Sequence, residues 1–225
     1  MIAGEGSGLS AICKALHRQW DAVPASQKRG IPRWMVFWED AVNIEDYLGL
    51  PGGGESWEPL SRLMSSWPVF RSRRRWFERD LERHLHRLLR VKIDDNPSKF
   101  SGRVSSAANL RVTVNDCGAV KVRDIDGSDL DDCFQAHGER LAMYLAVNAA
   151  ARNLLALDLP SVVNGQLGFL DRTLLHTCYS CLELLSRQTI VLESNAVFEA
   201  LGVTPHWQVV HDPVRAVATI DRVLS

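Results

Sequence analysis

The regular change between strand-like and helix-like patterns in the second half of the chain constrains the fold more than any other sequence feature. Short apolar runs predict strands there, and longer segments with apolar residues at helical spacing separate those runs. Strands that alternate with helices predict βαβ units and a parallel sheet. The predicted order is helix 138–157, strand 160–164, helix 171–186, strand 188–193, helix 195–201 and strand 206–211.

A long amphipathic helix and a β-hairpin are predicted before that region. No Gly or Pro interrupts the chain for more than twenty residues after Phe70. Apolar side chains recur there at helical spacing, which predicts a helix over 70–92 with one buried face. The residues of that face are Phe77, Leu81, Leu85 and Leu88. Two alternating runs, 110–115 and 119–124, flank a turn at 116–118 and predict a hairpin with one buried face.

Residues 1–68 differ from the rest of the chain because Gly and Pro interrupt them repeatedly. Five of the seven tryptophans lie in this segment, where they are expected to fill the core of a small helical or mixed unit. An exposed partner-binding surface is the alternative. The predicted fold class is α/β, with a mixed, largely parallel sheet and flanking helices over 69–225. Residues 1–68 are predicted to form a Trp-rich N-terminal adaptor segment.

The composition is that of a globular protein, with 225 residues of which 46% are apolar and 24% are charged. The formal net charge of -1 excludes a uniformly basic nucleic-acid coat. Arg152 and Asp158 interrupt the longest apolar stretch, so no membrane span is expected. Five irregularly spaced cysteines predict free thiols in a reducing compartment, and a cytoplasmic protein is therefore expected.

The predicted helix 70–92 is strongly basic despite the balanced total charge. A basic helix face can neutralise phosphates and bind DNA or RNA in a salt-dependent way. The alternative is a solvated helix in which Glu78, Asp80 and Glu82 pair with arginines, for example Asp80 with Arg83. The candidate nucleic-acid-binding residues are Arg71, Arg73, Arg74, Arg75, Arg79, Arg83, Arg87, Arg90 and Lys92.

Two other groups of residues invite a metal or redox interpretation. His84 and His86 flank Leu85 and point to different faces of the helix, so they are not expected to share one ion and are predicted to be solvated. Cys178 and Cys181 form a C-x-x-C pattern inside a predicted helix, beside leucines of its apolar face. Core packing is the favoured interpretation for both thiols, because a redox pair needs a helix N-terminus and zinc needs two more ligands.

The absence of a phosphate loop excludes a stand-alone P-loop nucleotidase. The pattern G-x-x-x-x-G-K-[ST] does not occur in the sequence. Neither the GEGSG segment at 4–8 nor the PGGGE segment at 51–55 is followed by the Lys and hydroxyl residue that would hold phosphate and magnesium.

The order of features over residues 70–220 resembles the C-terminal lobe of an SMC/SbcC/DndD-type ABC ATPase. In that family a coiled-coil helix runs into a short β region, a signature motif LS-x-GE, a Walker B strand, a D-loop and a switch strand. The matching segments here are the basic helix 70–92, the hairpin 110–124, QAHGER at 135–140, LPSVVNGQLGFLD at 159–171 and QTIVLESN at 188–195. The resemblance covers about two-thirds of the chain and implies an ATPase C-lobe-like domain over 69–225, with its α/β part at 138–225.

The resemblance also implies that the catalytic groups of the family have been lost. The signature Ser falls on Ala136, and the neutral amide of Asn164 in place of the Walker B Asp cannot supply charge to a magnesium site. The switch position falls on Ser194, whereas Asp171 of the D-loop is kept. A pseudo-ATPase with no bound cofactor and no metal is therefore expected. The remaining degenerate positions are His137, Gly138, Glu139 and Arg140 in the signature and Gly165 and Gln166 after Walker B.

The expected function is that of a non-catalytic subunit of a multi-protein DNA-processing, repair or anti-phage defence complex. It would dock to a phosphate-loop ATPase or nuclease partner and contact DNA through the basic helix. One alternative is a subunit that completes the ATP site of a partner in trans through Gly138, Glu139 and Arg140. The other alternative is a metal-dependent α/β hydrolase or nuclease that uses an acidic run. The residues of that run are Asp124, Asp126, Asp129, Asp131 and Asp132.

Overall fold

The computed structural model describes ten segments of the chain, which are residues 9–28, 31, 35–38, 68–95, 110–116, 120–130, 137–165, 167–182, 186–212 and 217–222. The α-helices are α1 Leu9–Ala22, α2 Ala25–Lys28, α3 Pro68–Ser72, α4 Arg74–Asp95, α5 His137–Leu155, α6 Arg172–Cys181 and α7 Asn195–Leu201. The strands are β1 Phe37–Trp38, β2 Arg111–Val114, β3 Val120–Arg123, β4 Ser161–Asn164, β5 Thr189–Leu192, β6 Trp207–Asp212 and β7 Val217–Arg222. A short 3-10 helix, Leu167–Phe169, follows β4.

A three-stranded parallel sheet with the order β1-β4-β5 forms the α/β part of the molecule. Val162 of β4 pairs with Phe37 on one side and with Ile190 on the other. The described structure is thus mixed helix and strand, as expected for an α/β chain. Because β1 comes from the predicted N-terminal segment, residues on both sides of the proposed boundary at 68 contribute to this sheet.

Two antiparallel hairpins lie outside the parallel sheet. β2 and β3 pair from Arg111 with Arg123 to Val114 with Val120, which confirms the predicted hairpin. β6 pairs antiparallel with β7, from Trp207 with Arg222 to Asp212 with Val217. The expectation that the strand near 206–211 extends the parallel sheet is wrong. A connection of a few residues can join only antiparallel neighbours, because a parallel crossover needs about a dozen or more.

Helix α4 presents its predicted apolar face to the core, where Phe77, Leu81, Leu85 and Leu88 are all buried. It packs against α5 and α6. Helix α6 buries Cys178 and Cys181 in this core, which confirms the packing interpretation of the C-x-x-C pattern.

The predicted single helix from Phe70 is interrupted at Arg73, between α3 and α4. The hydroxyl of Ser72 donates to the carbonyl oxygen of Val69 at 3.1 Å, and the backbone N–H of Arg73 donates to the same oxygen at 2.9 Å. The rings of Phe70 and Phe77 meet edge to face across this break, with 5.3 Å between centroids. Both helices therefore contribute to one apolar cluster.

Helix α5 is the central core helix, and all of its residues from 141 to 152 are buried. Such a helix is apolar on every side because neighbours cover its whole circumference. Tyr144 anchors it to the sheet by donating to the carbonyl oxygen of Phe37 at 3.4 Å. None of the helices in the described segments is long and apolar enough to cross a membrane.

Like Glu139 at the start of the helix, Arg152 of α5 is charged and yet buried, with only 2% of its surface exposed. Its Nε donates to Asn148 Oδ1 at 2.7 Å, its Nη1 donates to the carbonyl oxygen of Leu159 at 2.7 Å, and its Nη2 donates to the carbonyl oxygen of Met35. Burial lowers the pKa of Arg152 to about 10, although Tyr144 and Asp158 oppose the shift. The side chain stays ionised at pH 7 and joins the segments that lead into β1 and β4.

Candidate nucleic-acid interface

The outer surface of α3 and α4 is cationic from Arg71 to Arg90. Its arginines project into solvent, on the side of the helices opposite the buried apolar face. Arg74 is half-buried and forms an ion pair with Asp116. The side chain of Lys92 lies outside the described residues. The exposed arginines are Arg71, Arg73, Arg75, Arg79, Arg83, Arg87 and Arg90.

Three acidic residues of α4 lie between Arg74 and Arg90, and two of them face the hairpin. Glu78 accepts a hydrogen bond from the backbone N–H of Val114 at 2.8 Å, and Glu82 accepts one from Val112 at 3.3 Å. Glu78 and Glu82 are four residues apart on the helix, a rise of about 6 Å, and Val112 and Val114 are two residues apart on the strand, a rise of about 6.8 Å. The spacing of the two carboxylates therefore matches the spacing of the two N–H groups. The two carboxylates thereby satisfy donors at the edge of β2.

The third acidic residue, Asp80, faces α5. It accepts hydrogen bonds from Arg83 Nη1 at 2.7 Å and from Asn153 Nδ2 at 2.8 Å. The first of these contacts confirms the predicted pair of Asp80 with Arg83. The three carboxylates between Arg74 and Arg90 thus contact β2 or α5, and the exposed charged side chains of this stretch are arginines.

His84 is buried, with 9% of its surface exposed, so the prediction that it is solvated is wrong. Helix α5 covers this side of α4, which makes the buried face wider than the four apolar positions indicated. Burial lowers the pKa of His84; Asp80 opposes the shift, whereas Arg83 and Arg87 add to it. The neutral ring can accept a hydrogen bond from Asn153 Nδ2, which lies 3.3 Å from its Nε2.

His86 contacts a different part of the molecule, as expected from its position on another face of the helix. Its Nε2 lies 3.1 Å from the carbonyl oxygen of Leu110 and can donate to it. The ring is half-buried. His86 therefore helps to hold the start of the hairpin against α4.

Two clefts flank α4 and share Arg83 as a lining residue. The α5-side cleft has a volume of about 690 Å³. It is lined by Arg73, Trp76, Phe77, Arg79, Asp80, Arg83, Ala150, Asn153 and Leu154. The α6-side cleft has a volume of about 560 Å³. It is lined by Arg83, His86, Arg87, Arg90, His176, Thr177, Ser180 and Cys181.

The side chains around these clefts suit the recognition of phosphate groups. Guanidinium groups donate to phosphate oxygens in a fork geometry, and hydroxyl and imidazole groups add further donors. The Cys181 thiol in the α6-side cleft is not a nucleophile at neutral pH, because burial raises its pKa, although Arg87 opposes the shift. The arrangement can bind anions and offers no activated nucleophile at this thiol.

The residues that the sequence resemblance assigned to Walker B and to the switch lie at the carboxyl edge of the parallel sheet. Asn164 ends β4 beside Leu192 of β5, and the N–H of Gly165 donates to the carbonyl oxygen of Leu192 at 2.9 Å. Ser194 occupies the N-cap position of α7 without a side-chain capping bond. Asp171 caps α6, where its Oδ1 accepts from the N–H of Leu174 at 3.0 Å.

Glu193 lies at the same edge and was not identified from the sequence. Its buried Oε1 accepts a hydrogen bond from the N–H of Leu167 at 2.7 Å. Burial raises the pKa of Glu193, and hydrogen bonds from the N–H groups of Leu167, Ser194 and Gly168 oppose the shift. The carboxylates of Glu193 and Asp171 therefore bind the backbone of the chain itself. An acidic residue at the end of the predicted strand 188–193 was the sequence signal for Glu193.

The residues that the sequence resemblance assigned to the signature motif include the start of α5. Gly138 and Glu139 are buried and Arg140 is half-buried, so the first two face the core and not an open surface. Backbone but no side-chain placement is described for His137, and Ala136 and Gln166 lie outside the described residues.

The acidic run at 124–132 begins as a tight turn. The Oδ1 of Asp124 accepts from the N–H of Ile125 at 2.6 Å, and Gly127 adopts a positive φ of 84°. Asp126 and Asp129 are exposed, and Asp131 and Asp132 lie outside the described residues. Within the segments that the structure describes, no three His, Cys, Asp or Glu side chains form a group that could hold a metal ion.

Comparison of the sequence with family models and with curated proteins finds no match. The candidate interface on α4 is therefore argued from its geometry alone. Sequence reasoning identified its arginines but missed Trp76, Asn153 and His176. These three side chains enter the clefts only because α5 and α6 pack beside α4.

Proposed function

We propose that the chain is a non-catalytic subunit of a cytoplasmic DNA-processing, repair or anti-phage defence complex. In this proposal the outer face of α4 binds nucleic acid, and the α/β part docks on a phosphate-loop ATPase or nuclease partner. The observation that carries the proposal is the separation of charge on α4. Between Arg74 and Arg90 its exposed arginines face solvent, whereas Glu78 and Glu82 contact β2 and Asp80 contacts α5 and Arg83.

The length of the cationic face suits a nucleic-acid backbone. From Arg75 to Arg90 the helix rises about 22 Å, and successive phosphates of one strand are about 3.4 Å apart along the axis of a duplex. A helix of this length can lie along about six phosphates. Because the whole chain has a net charge of -1, the cationic surface is a local feature and directs the ligand to one place.

The placement of the acidic groups supports the non-catalytic part of the proposal. Asn164 is neutral, and the carboxylates of Asp171 and Glu193 bind backbone N–H groups. The resemblance of residues 70–220 to a degenerate ABC ATPase lobe supports docking to an active partner. Magnesium-dependent ATP hydrolysis by the purified chain that is abolished by Asp171→Asn would contradict this part.

Nucleic-acid binding is tested by fluorescence anisotropy of labelled DNA at several salt concentrations. We expect the logarithm of the binding constant to fall linearly with the logarithm of salt concentration, with a slope of about -4 to -5 if five phosphates are neutralised. Arg79→Glu and Arg87→Glu are each expected to reduce the slope by about 1 to 2 and to weaken binding about tenfold.

Arg18→Glu is the matched control, because Arg18 is an exposed arginine on α1 and the substitution makes the same change in charge. It is expected to leave the slope nearly unchanged. Equal losses in all three variants would attribute binding to net charge and contradict an interface on α4. Docking is tested by affinity purification with nuclease treatment, where the proposal requires recovery of an ATPase or nuclease that does not depend on DNA.

A further inference from the structure

We propose that the α5-side cleft binds an unpaired base of a single-stranded nucleic acid, which stacks on Trp76 while neighbouring arginines hold the phosphates. This inference rests on the proposed nucleic-acid function and specifies the form of the strand. It concerns the side of α4 that faces α5, and it adds Trp76 to the arginines that the sequence analysis proposed as nucleic-acid-binding residues.

Trp76 is unusually exposed for a large aromatic residue in a helix that packs against a core. It is 69% exposed, whereas its neighbour Phe77 is 1% exposed. Its indole lines the α5-side cleft with Arg73 and Arg83, at positions three before and seven after it. Trp76 and Arg83 lie on one stripe of α4 because they are two turns apart, and Arg73 directly precedes the helix, where its carbonyl oxygen accepts from the N–H of Trp76 at 2.9 Å.

The lining of the cleft separates a base position from phosphate positions. Ala150 and Leu154 of α5 supply apolar surface opposite Trp76, and Asn153 and Asp80 supply polar groups that can hydrogen-bond to a base edge. The charge of Asp80 is balanced by Arg83. The volume of about 690 Å³ lies within the range of about 300–1,000 Å³ that is typical of ligand pockets.

The combination favours single strands over duplexes for a physical reason. Arginines bind the backbone of either form, but an aromatic ring can stack only on a base that has left its own stack. In a duplex the base faces are covered by their neighbours, so Trp76 would gain no contact. Base stacking on an aromatic side chain typically contributes about a 5- to 100-fold increase in affinity.

The test measures anisotropy of a labelled 20-nucleotide oligo-dT and of a blunt hairpin duplex of matched charge, with the full chain. We expect Trp76→Ala to weaken binding of oligo-dT about 5- to 50-fold and binding of the duplex less than twofold. Trp76→Phe should retain most of the affinity. Trp207→Ala is the matched control because Trp207 is 45% exposed on β6, outside the cleft, and neither substrate should be affected.

The outcomes separate this inference from the proposed function. Binding of both substrates that depends on Arg79 but is unchanged by Trp76→Ala would overturn the stacking inference and leave the proposed function intact. An equal loss for oligo-dT and duplex would also overturn it. If the chain binds neither substrate, the proposed function itself fails. Thermal unfolding of each variant, monitored by circular dichroism, confirms that the exposed substitution leaves the fold unchanged.

Discussion

Helices α4 and α5 pack against each other, and both carry arginines that the structure uses in opposite ways. The arginines of α4 project into solvent along its outer face. Arg152 of α5 is buried and donates hydrogen bonds to three parts of the chain. The role of an arginine on a helix therefore depends on whether another part of the protein covers that helix face. A buried arginine acts on folding, whereas a row of exposed arginines is available to a partner.

The largest effect is expected from Arg152→Met, which tests the structural half of this comparison. The variant leaves the carbonyl oxygens of Met35 and Leu159 without their donor in a buried place. We expect the free energy of unfolding to fall by about 3–5 kcal/mol, measured by urea denaturation. Arg152→Lys keeps the charge but lacks the planar guanidinium group. Its free energy of unfolding should lie between those of the wild type and Arg152→Met. A loss below about 1 kcal/mol would show that the buried arginine does not hold β1 and β4 together.

A smaller loss is expected from Glu78→Ala, which tests whether the acidic residues of α4 have a structural role. The substitution removes the acceptor for the N–H of Val114 at the edge of β2. We expect the free energy of unfolding to fall by about 1–2 kcal/mol in urea denaturation. Glu199→Ala on α7, an exposed carboxylate away from the hairpin, is the control for loss of charge. If both variants behave alike, the contact with β2 contributes nothing specific.

The pH dependence of stability tests whether His84 is buried where α4 packs against α5. The pKa of His84 in the folded protein is lowered below the ordinary value of 6.5 by burial, so the unfolded chain binds the proton first. Stability from this group is complete above pH 6.5 and is lost as the pH falls below it. The loss cannot exceed about 1.4 kcal/mol per pH unit for one proton. Thermal unfolding between pH 5 and 7.5 should show this slope, and His84→Gln should flatten it.

The smallest effect is expected from Arg75→Ala on the outer face of α4. This side chain is exposed, and exposed substitutions away from caps and cores usually change stability by less than about 0.5 kcal/mol. Urea denaturation should therefore give nearly the wild-type midpoint. A large loss of stability would show that an exposed arginine of α4 also stabilises the fold. It would contradict the contrast between the exposed arginines of α4 and the buried Arg152 of α5.

Local patterns predicted the elements whose residues determine their own structure. The helix near 195–201 is confirmed as Asn195–Leu201, and Gly202 ends it in the left-handed conformation. The alternating runs of the hairpin were equally informative. Strand β1 was not predicted, because two residues carry no periodicity and their pairing with β4 depends on a distant part of the chain.

The candidate interface was predicted only in part, for the same reason. Its arginines were identified because charge on one helix can be counted from the sequence. The burial of His84 and the cleft beside Trp76 were not, because each depends on how α5 packs against α4. The acidic residues were expected to pair with arginines of the same helix, as Asp80 does with Arg83. Glu78 and Glu82 instead bind backbone N–H groups at the edge of β2, which lie 36 and 30 residues away in sequence, and Glu82 also pairs with Arg111 of that strand.

The contact of Arg152 with Met35 cannot form until long after Met35 has been synthesised. The two residues are 117 positions apart in sequence. At typical synthesis rates of about 5–20 residues per second, the segment leading into β1 waits about 6–23 seconds before its arginine partner has been made. Until then β1 has neither its buried donor nor its neighbouring strand β4. The parallel sheet therefore forms only late in translation, after Arg152 and β4 have been synthesised.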